Sequence, residues 1–150
     1  MSAQCTDARV NQVTQVLFKK ANSPQKMLQL GESEIAEIIK PCGFFNTKSH
    51  NIFTLSKILL EKHNGKVPQT FDELEQLPGV GHKTASVVMS HIFKIPAFPV
   101  DTHIHRLAKR WGLSNGESVE KTESDPKKIF PKQKLAKLHL QIIYLQCFLL

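Results

Sequence analysis

Apolar residues recur at helical spacing along almost the whole chain. Val10, Val13 and Leu17 mark a first helix beginning near Asp7. Ser23-Pro24 reads as an N-cap followed by a first-turn proline, with Gly31 closing that short helix. A third segment, Ser33 to Lys40, is stopped by Pro41. Asn46 to His63 carries Ile52, Leu55 and Leu59 on one face and ends at Asn64-Gly65. Thr70 and Glu73 form a capping-box pattern for a short helix reaching Gln76. After Leu77-Pro78-Gly79-Val80-Gly81, helicity resumes at His82, and Ala85, Val88, Met89 and Ile92 predict one apolar stripe. Ile95 to Pro99 reads as a proline loop, and Asp101 opens a helix whose stripe is Ile104, Leu107, Ala108 and Trp111. From Gly112 to Pro131 the chain is polar and lysine-rich, and a final helix is expected from about Gln133. No strand pattern, internal repeat or low-complexity tract is found. The expectation is an all-α fold in a single domain over residues 1–150.

Composition narrows the class. With 41% hydrophobic and 22% charged residues the 150-residue chain reads as an ordinary globular domain. A formal charge of +7 favours a polyanionic partner without specifying one. Cys5, Cys42 and Cys147 are odd in number and widely spaced, so neither a disulfide framework nor a metal site is expected. The longest apolar run, Ile142 to Leu150, is too short to span a bilayer, and no signal peptide is apparent. A cytosolic protein that touches no membrane is expected, and nothing in the sequence calls for more than a monomer.

The candidate chemistry gathers at two places. Gly79 and Gly81, one residue apart between helices, permit positive φ and a close backbone approach. The free amides at the start of the following helix suit a phosphate, although a plain helical corner has the same pattern. Lys83 stands in the first turn, where the helix dipole disfavours its charge. It reads either as a solvated lysine or as an amine whose pKa is depressed by dipole, neighbouring cations and partial burial, and so fit to form a Schiff base. Asp101, eighteen residues on, is a strong N-cap candidate. It shares a cleft with Lys83 only if the segment between their helices doubles back. His82, His103 and His105 lack metal-ligand spacing and read as solvated or capping residues.

Four stretches carry a resemblance: Ser2-Ala3-Gln4-Cys5-Thr6-Asp7 with Val10-Asn11, Gly43 to Lys48, Leu77 to Ala85, and Val100 to Ile104. In order and separation they are similar to the endonuclease III-like DNA glycosylases of the helix-hairpin-helix superfamily. The likeness runs from about Ser2 to Leu113 and more weakly through Lys137-Leu138-His139. It implies a six-helix barrel subdomain carrying the hairpin at about residues 70–94. It also implies a second helical subdomain, here incomplete, at about residues 1–10 and 113–150. The implied activity is excision of oxidised pyrimidines from duplex DNA, followed by β-elimination at the abasic site.

By the same resemblance Lys83 is the nucleophile at C1′ of the deoxyribose. Asp101 is the carboxylate that assists its deprotonation and stabilises charge on the sugar. Gln4 fills the space left by the extruded nucleotide, and Phe44 is the wedge beside it. Gly79, Val80 and Gly81 hold phosphate, with His82, Thr84 and His103 completing the DNA-binding set. Adenine-specific members of the superfamily lack the lysine, so Lys83 implies the bifunctional branch. The implied partner is double-stranded DNA with a damaged base or abasic site, in the nucleoid of a bacterial cytoplasm.

Two departures accompany the likeness. The family has a helical segment before the serine-alanine-glutamine motif, whereas here Met1 precedes Ser2 directly. The family also ends in four cysteines holding a [4Fe-4S] cluster, and the one cysteine near this end, Cys147, cannot do so. A chain truncated at both ends, without a cofactor, is therefore expected. A catalytically impaired DNA-binding remnant is the alternative reading.

Overall fold

A computed structural model describes residues 4–95 and 97–149, excluding the side chains of residue 136 and residues 146–149. Pro96, Ser2 and Ala3 lie outside the described residues, as do the side chains of Cys147 and the apolar residues after it. The described residues are helical with no strand, as the periodicity required. The chain forms two compact units, one from Met1–Pro68 with Gln76–Gly79, the other from Gln69–Glu75 with Val80–Leu150.

The first unit holds α1 (Asp7–Lys20), α2 (Pro24–Leu30), α3 (Glu32–Ile39) and α4 (Phe45–His63). Their boundaries follow the signals in the sequence. The Ser23 hydroxyl accepts the Lys26 amide, Pro24 fills the first turn, and Gly31 closes α2 at φ 84°. Val13, Leu17, Ala21, Met27, Ile35, Ile39 and Cys42 make one core. α4 packs on α2 and α3, and the residues it buries are Ser49, Ser56 and Leu59. Each serine hydroxyl donates to a carbonyl of its own helix, Asn46 at 2.9 Å and Ile52 at 2.8 Å. These small, internally satisfied side chains let the backbones come close.

The second unit holds α5 (Phe71–Glu75), α6 (His82–His91), α7 (Thr102–Arg110), α8 (Val119–Ile129) and α9 (Leu135–Leu149), the last entered through a 3-10 turn at Lys132–Lys134. Thr70 and Glu73 form a variant capping box. The Glu73 amide donates to the Thr70 hydroxyl, which itself donates to the Glu73 carboxylate at 2.6 Å. Phe98, Val100, Ile104, Leu107, Leu135 and Ile142 form this unit's core.

Two expectations are corrected here. The polar, lysine-rich stretch from Gly112 to Pro131 contains a helix, α8, with Thr122, Glu123 and Pro126 buried and the Ser118 hydroxyl capping it. It buries polar side chains and a mid-helix proline, so it shows no apolar stripe. Ile92 and Trp111 were assigned to stripes but are 67% and 40% exposed. Both follow the last helical residue, where the chain turns away; α6 buries Ala85, Ser86, Met89 and Ser90 instead. The proline segment is a loop as expected, and its Ala97 and Phe98 are fully buried. Among the described residues no helix is long and apolar enough to cross a membrane. α1 packs on α3 in the first unit, and α9 on α7 in the second.

Candidate active site

In the second unit the segment after α6 turns back. α6 ends without glycine: Lys94 takes left-handed backbone at φ 58°, and the Ile95 amide reaches back to the Met89 carbonyl at 3.0 Å. A ten-residue helix is about 15 Å long, a span that about five extended residues cover. The buried Ala97–Val100 stretch makes that return through the core. It delivers Asp101, at the start of α7, beside Lys83 in the first turn of α6.

Asp101 then does two things at once. Its Oδ1 accepts the amides of His103 at 3.0 Å and Ile104 at 2.8 Å, capping α7. Its Oδ2 accepts the Lys83 ammonium at 3.4 Å. Partial burial by itself raises the carboxyl pKa, but the Ile104 amide and the charge and hydrogen bond of Lys83 outweigh it and hold Asp101 below the usual carboxylate range. The cap reading and the site reading are both correct, one for each oxygen. The partial burial envisaged for Lys83 is not found, for its side chain is 57% exposed. The amine stands open to a ligand with a buried-edge carboxylate behind it.

The two hairpin glycines differ in what they do. Gly79, in the first unit, has φ 74°, and a Cβ there would lie 3.0 Å from the Asn51 Nδ2. The conformation favours glycine, and the space beside Asn51 is tight. Gly81, at the start of the second unit, has an ordinary φ of −94°, and a Cβ there would meet nothing within 4 Å. Of the two, only Gly79 uses the positive φ that glycine permits. Gly81 leaves open space over the α6 N-terminus, whose first amides have no side-chain cap. Val80 is half-buried, while Thr84 on α6 and His103 on α7 are exposed.

His82 is not a simply solvated residue. Its Nδ1 lies 2.6 Å from Glu75 and its Nε2 2.8 Å from Glu123. His105, likewise, contacts the Thr122 hydroxyl at 2.8 Å. The carboxylates around His82 were missed because nothing marks residues 7 and 41 positions away as its partners. Also missed was His139 on α9, 4% exposed, with an unpartnered Nδ1 and its ring edge against His91 and Phe98. Burial first, with the charge of His91, brings its imidazole down to about 4.

In the first unit Gln4 and Phe44 share one unusual property: both adopt left-handed backbone, at φ 54° and 56°. Their turns touch, the Gln4 carbonyl lying 3.6 Å from where a Gly43 Cβ would stand. Phe44 is 67% exposed, an aromatic ring held outward on a strained turn. Among the described residues no three His, Cys, Asp or Glu side chains converge as a metal site. Those residues supply no ligand set for an iron–sulfur cluster.

All-helical units with a glycine-marked turn leading into a lysine helix, and a carboxylate returned to that lysine, define a helix-hairpin-helix protein. A model of the family described as HhH-GPD superfamily base excision DNA repair protein matches residues 1–132. The chain is 43% identical over 143 residues to endonuclease III of Rickettsia felis, covering 95% of this chain and 67% of that protein. To endonuclease III of Bacillus subtilis it is 43% identical over 145 residues, covering 96% and 66%. A solved non-covalent endonuclease III–DNA complex is matched with TM-score 0.90 at 43% identity, covering 95% of this chain and 67% of that one. A trapped endonuclease III–DNA covalent intermediate is matched with TM-score 0.89 at 43% identity, covering 95% and 68%. The chain belongs to the HhH-GPD superfamily of base excision DNA repair proteins. It spans about two thirds of the length of the relatives it matches.

Proposed function

We propose that this chain acts on damaged duplex DNA as a glycosylase and abasic-site lyase, with Lys83 as nucleophile. The observation that carries the reading is the Lys83–Asp101 pair at 3.4 Å, with the amine exposed and the carboxylate fixed by two amides. The nucleotide leaves the stack so that its C1′ reaches the amine. The neutral amine attacks C1′, the bond to the base breaks, and the base departs with its electron pair and a proton. Ring opening gives an iminium between Lys83 and C1′. Loss of a C2′ proton then expels the 3′ phosphate, and water releases the lysine.

Asp101, held as a carboxylate by its amides, is a weak proton acceptor but a well-placed negative charge. Its main part is to stabilise positive charge on the sugar and iminium. The open face over Gly81 and the amides of the first α6 turn suit a backbone phosphate. Gln4 and Phe44, presented on left-handed turns, suit insertion into the vacated stack. The net charge of +7 favours the same partner. Oxidised pyrimidines are the proposed lesions, and the proposed place of action is the bacterial cytoplasm.

Borohydride trapping on abasic-site duplex tests this, because reduction of the iminium leaves a permanent protein–DNA bond. The expected result is an adduct in the parent chain and none in Lys83→Gln. An adduct that survives Lys83→Gln removes the assignment. Salt-sensitive DNA binding with no adduct in the parent chain points instead to a binding module.

A further inference from the structure

α6 begins at Gly81, which has no side chain with which to cap it. The next residue, His82, supplies an unusual substitute. Its Nδ1 is 2.6 Å from Glu75 Oε1 at the end of α5, and its Nε2 is 2.8 Å from Glu123 Oε2 in the middle of α8. A neutral imidazole has one N–H and one lone pair. With both nitrogens against carboxylate oxygens, a neutral ring would set that lone pair against negative charge. Only the imidazolium donates to both. The Phe71 ring lies stacked on it at 5.6 Å, at 25° between planes.

The surroundings are arranged for a cation. Glu75 faces the ring from α5, while Glu123 and the charge of Glu120 face it from α8. Glu123 is only 8% exposed and gives its other oxygen to Lys127. The hydrogen bond of Glu75, then that of Glu123, raise the His82 pKa above its ordinary value. A positive charge in the first turn of a helix is disfavoured by the dipole. Two carboxylates on two other elements offset that cost here. The clamp therefore ties α5, α6 and α8 together at the residue immediately before Lys83.

We propose that His82, as an imidazolium held between Glu75 and Glu123, is a positioning residue that fixes the first turn of α6 and so aims the Lys83 amine at its carboxylate and at C1′. The proposal rests on Lys83 being the nucleophile. In this arrangement both ring nitrogens are engaged within the protein, and His82 meets DNA through its backbone amide rather than its ring.

The test measures single-turnover borohydride trapping and equilibrium binding on abasic duplex for the parent chain, His82→Phe and His82→Arg, with an NMR titration of the His82 ring. His82→Phe keeps a ring against Phe71 but removes both donors. It should slow trapping about tenfold or more while binding changes by less than about threefold, the pattern of a misaimed group. His82→Arg restores charge and donors and should recover most of the lost rate. The ring should titrate above its ordinary value in the parent chain and return toward it in Glu75→Gln. Parent-like trapping by His82→Phe overturns the proposal, as does a parallel loss of binding and rate, which would make the ring a phosphate contact. A ring that titrates at or below about 6.5 also overturns it. If His82→Phe does not fold, Glu75→Gln carries the same rate comparison at an exposed position. Failure of Lys83 itself would appear separately, as absence of a Lys83-dependent adduct in the parent chain, while the titration still reports on the clamp.

Discussion

Asp101 serves Lys83 with one oxygen and its own helix with the other: Oδ2 accepts the ammonium at 3.4 Å while Oδ1 accepts the His103 and Ile104 amides. Structure and chemistry are therefore separable by substitution. Asparagine keeps a capping oxygen, so Asp101→Asn should leave stability within about 0.5 kcal/mol, whereas Asp101→Ala should lose about 1 kcal/mol. Both should slow trapping on abasic DNA by about a hundredfold or more. Urea melts beside single-turnover trapping check this; a fully active Asp101→Asn would show that the charge is dispensable.

The hairpin glycines should part company in the same way. Gly79→Ala forces a side chain into left-handed backbone and onto Asn51, and should destabilise the chain by about 1–2 kcal/mol. Gly81→Ala meets neither obstacle and should stay within about 1 kcal/mol of the parent. Its methyl group, however, occupies the open space proposed for a phosphate. Binding to abasic duplex should weaken by about tenfold. Thermal denaturation and fluorescence-anisotropy titration give the two readouts.

Phe44 offers the opposite trade. Its ring is 67% exposed and its φ is 56°, so Phe44→Gly relieves strain and loses little packing. Stability should be unchanged or rise by up to about 1 kcal/mol. If Phe44 is the proposed wedge, discrimination between abasic and intact duplex should fall by about tenfold or more. Competition binding with the two duplexes measures it.

Acid should weaken the fold before ordinary carboxylates titrate. The folded chain holds His139 neutral down to about 4, whereas an unfolded chain protonates it near 6.5. A depressed histidine of this kind gives its full contribution above the unfolded value. That contribution declines as pH falls from there toward the folded one, by about 3 kcal/mol in all. His139→Leu should flatten the stability curve between about pH 6.5 and pH 4.5. His82, whose pKa is raised, acts in the opposite sense: its contribution is present below the unfolded value and lost as pH rises through the folded one. Urea melts across this range, in parent and variant, resolve the two.

Sequence periodicity located α1 and α6 from their apolar faces, and α2, α3, α4 and α7 from an apolar face together with a recognisable cap or stop. α8 escaped it because Thr122, Glu123 and Pro126 are what that helix buries. α6 ends just before the proline loop as its sequence suggested, but Lys94, not glycine, takes the left-handed turn there. Lys83 and Asp101 were legible as a pair only through the resemblance. Locally, one was an odd lysine and the other a cap. The carboxylates on His82 had no local trace at all, because tertiary packing alone brings α5 and α8 to the ring.

The return through Ala97, Phe98 and Val100 has a kinetic meaning. Loops that carry reactive groups commonly loosen well before the scaffold beneath them. Here the part of the connection that delivers Asp101, Ala97 to Val100, is itself core, with Phe98 wholly enclosed. Reactivity has no separate softening temperature under that arrangement. On heating, competence to form the covalent adduct should persist undiminished to the edge of the melting transition and vanish with it.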